Sequence, residues 1–132
     1  MTKEFCENIT VYHADTDAYG VVWHGACVKW FEKGRIEFAK LCGLDTFKLE
    51  EEGIVLPVVN LEVRYKSSAF LGEELKICTK LHEIKRASIT FEHIVSEATT
   101  NKIHIIAKTT VVAVDKSGKL CRNLPPCFTN LQ

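Results

Sequence analysis

The sequence predicts an α+β domain in which one long helix lies against a curved antiparallel sheet of about five strands. Between Gly25 and Cys42, apolar residues recur at intervals of three and four, which is the period of one helix face. From Val59 onwards the period changes to two, and the alternating segments are joined by short, turn-rich links that favour antiparallel neighbours. At 132 residues the chain has the length of one domain, so we expect a single core spanning residues 1–132.

The first half of the chain is predicted to hold a short strand, a long helix and a short helical piece. The strand is expected from Ile9 to His13 and the helix from Gly25 to Cys42, where Gly43 supplies the left-handed position at which helices commonly stop. The short helical piece is expected over residues 45–52. Gly34 costs about 1 kcal/mol relative to alanine inside a helix, so it indicates the close approach of another backbone. The apolar face comprises Cys27, Phe31, Gly34, Phe38, Leu41 and Cys42.

Four strands are predicted in the second half. Residues 59–66 alternate apolar with polar side chains, which is typical of a half-buried strand. Further strands are expected over residues 74–85, 88–97 and 103–114, whereas the tail from Cys121 to Gln132 is expected to be irregular. The strand over residues 103–114 is apolar on both faces, which exceeds what one helix can cover. The sequence therefore predicts a homo-oligomer, most simply a dimer.

The composition excludes several classes of partner. Lysine plus arginine number 17 and aspartate plus glutamate also number 17, so the total charge favours neither nucleic acid nor an anionic membrane. No apolar run approaches the roughly 20 residues that a membrane-spanning helix needs. The segment from Met1 to Asn8 mixes acidic and basic residues and lacks the apolar centre of a signal peptide. We expect a soluble, cytoplasmic protein.

The six cysteines show neither a zinc-binding pattern nor a disulfide framework. They contain no C-x-x-C pair, and the histidines have no matching ligand spacing, so no metal site is predicted. Without a secretory signal we expect reduced thiols, several of them acting as small apolar residues. Cys27 lies near the start of the long helix, where thiol pKa values fall, but its place on the apolar face favours a structural role.

One segment between the first strand and the long helix concentrates the residues that chemistry needs. A helix start offers unpaired backbone N–H groups and the positive end of the helix dipole, which suit an acyl oxygen gaining negative charge. Asp17 stands ahead of those donors as a candidate nucleophile or base. Aspartates before a glycine turn also serve merely as turn or cap acceptors, and Asp15 is assigned that role. The segment reads Asp15-Thr16-Asp17-Ala18-Tyr19-Gly20-Val21-Val22-Trp23-His24.

This segment resembles the D-x-D-x-x-G-V-V-x-[HY] signature of the hotdog-fold acyl-CoA thioesterases of the 4-hydroxybenzoyl-CoA thioesterase and YbgC type. The order of elements up to about Asp115 is also similar to that family. The resemblance implies a hotdog fold, a homodimer or homotetramer, and acyl sites between protomers. It implies that Asp17 acts as nucleophile or general base and that His24 lines the site near the helix start. The family often has tyrosine where this chain has His13.

The expected activity is hydrolysis of an acyl-CoA thioester to the free acid and coenzyme A. Backbone N–H groups at the start of the helix, around His24 and Gly25, would polarise the carbonyl, and Asp17 would attack it or activate a water. No metal or bound cofactor is expected, because coenzyme A is part of the substrate. The resemblance also implies that Lys85 and Arg86, at a predicted turn, bind the phosphates of coenzyme A.

Aromatic residues around the motif bear on the acyl group. Tyr19, Trp23 and Phe31 crowd the segment and favour a bulky or aromatic acyl group. Trp30, together with Trp23 and Phe31, could shape an acyl pocket, although aromatic residues near a helix are commonly core. Two other functions on the same fold remain open. A hydroxyacyl-thioester dehydratase resembles an H-x-P-G turn, whereas His24 is followed by Gly25 and an alanine. A non-catalytic acyl-CoA-binding module would need no carboxylate at Asp17.

Overall fold

The computed structural model of the chain describes residues 3–132, so Met1 and Thr2 of the N-terminal segment discussed above lie outside the described residues. Among the described residues, no helix combines the length and the apolar character that crossing a bilayer requires. In chain order the elements are β1 (Phe5–Thr10), a 3₁₀ turn (His13–Asp15), α1 (Ala26–Leu41), α2 (Thr46–Glu51), β2 (Val58–Tyr65), β3 (Glu74–Ile84), β4 (Ser88–Glu97), β5 (Ile103–Val112) and a C-terminal 3₁₀ helix (Pro126–Leu131).

The five strands form one antiparallel sheet in the order β1-β3-β4-β5-β2. Short hairpins join β3 to β4 and β4 to β5, as the turn-rich links predicted. β2 precedes β3 in the chain yet lies at the opposite edge from β1, because α1 and α2 carry the chain between the two edges of the sheet. The predicted α+β architecture, a long helix against a five-stranded antiparallel sheet, is confirmed.

The sheet encloses α1 because irregular pairing bends its strands. Register shifts occur within three of its strand pairs, and an extra residue in one strand increases local bend and twist. They fall between Val58 and Asn60, between Leu81 and Glu83, and between Val95 and Ser96. Two apolar clusters then form between helix and sheet, one around Phe31, Leu75 and Val95 and the other around Phe38, Phe91 and Phe128.

A small polar network lies inside this core, where α1 meets the sheet. His93 of β4 is fully buried, and its two ring nitrogens hydrogen-bond the hydroxyls of Thr79, at 2.9 Å, and Thr109, at 3.0 Å. Its ring stacks on Phe31 with a centroid separation of 4.4 Å. A Cβ atom at Gly34 would collide with the Thr79 hydroxyl. Gly34 therefore permits close approach, as predicted, but the neighbour is a side chain rather than a backbone.

The first strand differs from its predicted bounds. Pairing with β3 begins at Phe5 and ends at Thr10, so the predicted extension to His13 is wrong. The cause is local, because the Asp15 carboxylate accepts a hydrogen bond from the Tyr12 N–H at 2.9 Å and turns the chain into the 3₁₀ segment. The same contact confirms the predicted turn-stabilising role of Asp15.

The C-terminal tail and the helix face also depart from expectation. Pro126 begins a 3₁₀ helix, which suits a residue that lacks an N–H, so the prediction of an irregular tail is wrong. Phe128 and Leu131 of that helix are buried in the core. Leu41, which was expected on the apolar face of α1, is 55% exposed because the helix ends there and the chain turns away.

One pair of cysteines contradicts the prediction of reduced thiols. Cys6 of β1 and Cys78 of β3 face each other across the strand pair and are joined by a disulfide. Their 72-residue separation hides this register in the sequence. Among the described residues the other cysteines are free thiols, namely Cys27, Cys42, Cys121 and Cys127.

The buried imidazole predicts a pH-dependent stability. Burial lowers the pKa of His93 from 6.5 to about 3, with the nearby charge of Arg35 adding to the effect. Between these two pKa values, His93 is protonated in the unfolded chain but neutral in the folded chain. Lowering the pH from about 6.5 towards about 3 should reduce the free energy of unfolding by about 1.4 kcal/mol per unit from this group. Urea unfolding at several pH values measures the slope.

Two variants separate the contribution of His93 to this pH dependence from the contributions of other titrating groups. His93→Gln retains hydrogen-bonding capacity but cannot take up the proton, so its unfolding free energy should show a shallower dependence on pH. His82→Gln removes an exposed histidine and should keep the parental slope. Equal slopes for the parent and His93→Gln would contradict the assignment.

Candidate active site

The motif segment forms a small hairpin that closes just before α1. The Asp17 N–H donates to the Val21 carbonyl at 2.9 Å, and the Gly20 N–H donates to the Asp17 carbonyl at 3.0 Å. Gly20 has a φ of +78°, a left-handed value that glycine adopts without strain. The Trp23 N–H donates to the Asp15 carbonyl at 3.0 Å and closes the base of the hairpin. Asp17 is thus fixed at the tip, seven residues in sequence before His24.

The hairpin is fastened to the turn that precedes β3. The Val22 N–H donates to the Ala69 carbonyl at 2.9 Å, and the Leu71 N–H donates to the Gly20 carbonyl at 3.3 Å. Val21 and Phe70 pair as an isolated antiparallel bridge. These main-chain contacts hold the motif against the sheet independently of side-chain identity.

The Asp17 carboxylate is oriented on one side and open on the other. Its Oδ1 atom accepts a hydrogen bond from the Tyr19 N–H at 2.9 Å. Within residues 3–132 its Oδ2 atom has no hydrogen-bond partner, and the residue is exposed. A carboxylate held in this way retains an accessible oxygen for attack on an acyl carbon or for accepting a proton from water.

The start of α1 lacks a side-chain cap. Gly25 occupies the N-cap position and provides no side-chain acceptor, whereas Asp45 caps α2 by accepting from the N–H groups of Phe47 and Lys48. Across residues 3–132 the N–H groups of His24 and Gly25 donate to no other group of the chain. These donors and the positive end of the helix dipole are available to an oxyanion.

The end of an aromatic side chain lies close to Gly25. A Cβ atom at that position would overlap the ring of Trp23. That ring also meets the His24 imidazole edge to face, with centroids 5.6 Å apart. The His24 side chain itself is exposed, so the residue presents both a free N–H and an accessible imidazole at the helix start.

Tyr65, at the end of β2, is a site residue that the sequence did not reveal. Its hydroxyl donates a hydrogen bond to the His24 carbonyl and thereby joins the edge strand to the helix start. Desolvation raises the pKa of Tyr65, so the phenol stays protonated and keeps its donor. In the sequence Tyr65 only completes an alternating strand pattern, and no local signal marks its contact with a residue 41 positions away.

A cavity of about 270 Å³ opens beside this contact. Its wall combines apolar side chains of the inner face of the sheet and aromatic side chains next to the helix start with the polar residues Lys66, Ser67, Ser68 and His104. A cavity of about 290 Å³ lies elsewhere, between α1 and α2, but it includes no motif residue. The cavity of about 270 Å³ is lined by the motif residue Val22, so we associate that cavity with the motif. Its apolar and aromatic lining includes Val22, Trp30, Tyr65, Leu75, Val95 and Ile105.

The predicted aromatic residues are only partly brought to this cavity. Trp23 is 41% exposed and Tyr19 is 89% exposed, so both are accessible to a ligand near the hairpin. The prediction that Phe31 contacts substrate is wrong, because this ring is fully buried and stacked on His93 in the core. Trp30, one residue earlier on α1, lines the cavity instead.

Cys27 is unsuited to nucleophilic chemistry despite its position at the helix start. It is fully buried, and burial raises the pKa of its thiol, against a smaller opposing effect of the Tyr65 hydroxyl. The thiol points to the His24 carbonyl at 3.7 Å. The structural role predicted from the apolar face is therefore supported.

Lys85 and Arg86 are exposed in the hairpin between β3 and β4. The Asp17 hairpin lies at the start of β3, where the Val11 N–H bonds the Glu73 carbonyl, whereas Lys85 follows the end of that strand. Since β3 has 11 residues, the two sites within one chain are about 35 Å apart along the strand. The structure thus separates two groups that the sequence assigned to one substrate.

Comparison with known proteins yields a consistent family. Residues 11–130 match the thioesterase-like superfamily. The acyl-CoA thioesterase YbgC of Haemophilus influenzae is 33% identical, over 91% of this chain and 87% of that protein. A DHNA-CoA thioesterase from Staphylococcus aureus is 26% identical with a TM-score of 0.84, covering 90% of this chain and 80% of that one. A 4-hydroxybenzoyl-CoA thioesterase mutant, solved with 4-hydroxybenzoyl-CoA, shares the hotdog fold at 21% identity with a TM-score of 0.87, covering 98% and 99%.

Proposed function

Because this chain belongs to the thioesterase-like superfamily and has an open helix start and an oriented carboxylate within one motif segment, we propose that it is an acyl-CoA thioesterase. The reaction is hydrolysis of the thioester to a free acid and coenzyme A. The observation that carries the site assignment is the contrast between the two helices. α2 is capped by Asp45, whereas α1 leaves the N–H groups of His24 and Gly25 free within residues 3–132.

The free N–H groups act on the acyl carbonyl. As the carbon becomes tetrahedral, its oxygen gains negative charge, and the N–H groups of His24 and Gly25 stabilise that charge more than the neutral carbonyl. Tyr65 holds the helix start in place through the His24 carbonyl. Preorganised donors of this kind need no reorientation when the charge develops, and this lowers the barrier.

Asp17 supplies the second part of the reaction by one of two routes. As a nucleophile, its free oxygen bonds to the acyl carbon, the C–S bond breaks, and water then cleaves the mixed anhydride. As a general base, it takes a proton from a water whose oxygen attacks the same carbon. In both routes the leaving thiolate of coenzyme A takes up a proton. The chemistry uses main-chain donors, a carboxylate and water, so we propose no metal or bound cofactor for it.

Testing Asp17 requires one isosteric change and one neighbour as control. Asp17→Asn should lower kcat by at least about 100-fold, the scale of losing a positioned acid–base group, and leave the thermal unfolding midpoint near that of the parent. Asp15→Ala, which removes the acceptor of the turn contact, should instead lower stability by about 1 kcal/mol, with much smaller loss of kcat. Thiol release from an acyl-CoA measures kcat for both variants, and thermal unfolding measures their stability. Near-parental kcat in folded Asp17→Asn would remove Asp17 from the mechanism.

We propose that two chains form the working unit by pairing their β2 edges, and that a homodimer or a homotetramer built from it is the assembly. Among the described residues β2 has only one neighbouring strand, β5, so its other side presents unpaired main-chain groups. Large apolar side chains on both of its faces are also exposed. They are Val58, Val59, Leu61 and Tyr65.

A two-fold pairing of this edge explains the separation of the basic residues from Asp17. Paired β2 strands would run antiparallel, so the end of one sheet that carries the Asp17 hairpin meets the opposite end of the partner sheet. That opposite end carries the β3–β4 turn with Lys85 and Arg86. The partner subunit would thus bind the phosphates of coenzyme A while this chain acts on the thioester.

The basic turn is tested with substrates of different length. Replacing both Lys85 and Arg86 with alanine should raise KM for an acyl-CoA, but much less for an acyl thioester that lacks the nucleotide. Replacing Lys76 and Lys80, on the outer face of β3, is the matched control and should change neither KM. An equal rise for both substrates would show that the turn does not bind the nucleotide.

We propose a bulky or aromatic acyl group. Trp30 and Tyr65 line the cavity beside the helix start, and Trp23 and Tyr19 of the motif hairpin are exposed. Flat side chains of this kind favour stacking on a ring.

The acyl preference is measured by comparing kcat/KM for benzoyl-CoA and butyryl-CoA. We expect benzoyl-CoA to be favoured by about tenfold or more, equivalent to about 1.4 kcal/mol of transition-state binding. Trp30→Ala should reduce this ratio, whereas Trp23→Ala should reduce it less because Trp23 does not line the cavity. A tenfold preference for butyryl-CoA would contradict the aromatic assignment.

We also propose a cytoplasmic location, because an acyl-CoA carries several charges and does not cross membranes unaided. Disulfides are uncommon in a reducing cytosol, whereas the structure joins Cys6 to Cys78. The pair lies on the outer side of the β1–β3 ladder, with Cys6 exposed, and we propose no role for its redox state in the chemistry.

A further inference from the structure

Three side chains with metal-binding atoms converge at the end of the sheet nearest the Asp17 hairpin. Glu73 precedes β3, Glu97 ends β4 and His104 lies in β5. One ligand atom of each lies within 4.8 Å of the others. The three residues come from separate segments, 24 and 7 positions apart in the sequence, so no spacing pattern announces them.

The imidazole of His104 is buried without a partner on one side. Its side chain is 3% exposed, and its Nε2 atom makes no hydrogen bond among the described residues. Oε2 of Glu73, also buried and unsatisfied, lies 3.6 Å from that nitrogen. This separation is too long for a hydrogen bond. Two such polar atoms, both desolvated, are costly to bury unless something binds them.

The protonation of the other ring nitrogen can be assigned from its neighbour. The Ser67 hydroxyl donates to the Ile103 carbonyl at 3.0 Å and lies 2.8 Å from His104 Nδ1. With that proton on the Ile103 carbonyl, the hydroxyl oxygen accepts from an Nδ1–H. In the tautomer that carries its proton on Nδ1 alone, Nε2 turns a bare lone pair towards the Glu73 carboxylate. Two electron-rich atoms that face each other in this way are satisfied by a cation or by a proton between them.

We propose that His104 Nε2, Glu73 Oε2 and a carboxylate oxygen of Glu97 bind one divalent transition-metal ion of the zinc class. An ion about 2.0–2.2 Å from both buried atoms would subtend an angle of about 110–130° between them, which suits tetrahedral coordination. One imidazole nitrogen and two carboxylate oxygens favour zinc-class ions over magnesium, because imidazole is a poor ligand for hard cations.

Each ligand is also oriented through its second polar atom. Besides the Ser67 contact of His104, the Phe70 N–H donates to Oε1 of Glu73 at 3.0 Å. The Thr99 hydroxyl donates to Oε1 of Glu97 at 3.2 Å. Hydrogen bonds of this kind fix ligand orientation in known metal sites. The arrangement is therefore a built site rather than a chance cluster of acids.

The ion would stabilise the segment that holds the Asp17 hairpin. Glu73 belongs to the turn whose residues Ala69 and Leu71 hydrogen-bond the hairpin. A bound ion would tie that turn to the ends of β4 and β5. Glu73 and Glu97 are absent from the lining of the cavity assigned to the acyl group, whereas His104 and Ser67 belong to it, so the ion would lie behind the wall of that cavity. The site does not depend on the proposed thioesterase activity.

The site is tested by titrating the chelator-treated full chain with Zn²⁺ by calorimetry. We expect one ion per chain, a raised thermal unfolding midpoint, and much weaker binding of Mg²⁺. Glu97→Gln and His104→Gln should each weaken Zn²⁺ binding by more than about 100-fold, and Ser67→Ala by about 10–100-fold. His82→Gln, which removes an exposed histidine of β3, should bind as the parent does.

Cysteines are the main competing ligands for Zn²⁺, and Co²⁺ distinguishes them. Co²⁺ bound at the proposed site should lack a sulfur-to-metal charge-transfer band. A parent chain that binds no Zn²⁺ would overturn the proposal and leave a proton between Glu73 and His104. Unchanged Zn²⁺ affinity in folded Glu97→Gln and His104→Gln would overturn it as well. A Co²⁺ spectrum dominated by a sulfur-to-metal charge-transfer band would also overturn the proposal.

Discussion

The close approach of α1 to the sheet at Gly34 is the constraint on which the site depends. With no side chain there, the helix packs onto the Thr79 hydroxyl, which also bonds the buried His93. This contact sets the depth of the helix in the curved sheet, while Tyr65 fixes its start through the His24 carbonyl. The Asp17 hairpin is attached separately, by main-chain bonds to the turn before β3. Donors and carboxylate are therefore positioned by different parts of one sheet.

The distribution of charge follows from this arrangement. The motif end of one chain has an open helix start and the oriented Asp17 carboxylate, whereas the basic turn lies at the other end of β3. If the basic turn binds the nucleotide, as we propose, a lone chain would act on the thioester without holding the nucleotide. In the proposed dimer, pairing through the open β2 edge would bring the two ends together and bury the apolar side chains that the edge exposes. Assembly and catalysis would then depend on the same strand.

Local patterns in the sequence predicted the elements well, because helix and strand periods are set by which residues face the core. They located α1, the strands and the Asp17 motif. They failed where long-range contacts decide the outcome. The burial of Phe31 depends on how deeply α1 packs, and the roles of Tyr65 and His104 depend on strand register. The predictions for the Cys6–Cys78 pair and for the C-terminal tail failed for the same reason, because neither feature has a local signal in the sequence.

The central claim is that the start of α1 receives the acyl oxygen beside Asp17. Its most direct test is a crystal structure of the chain with a non-hydrolysable acyl-CoA analogue whose thioester sulfur is replaced by a methylene group. We expect the carbonyl oxygen about 2.7–3.1 Å from the N–H of His24 or Gly25, with a free oxygen of Asp17 facing the carbonyl carbon. An analogue bound with its carbonyl away from the helix start, or with Asp17 directed away from the carbon, would contradict the account.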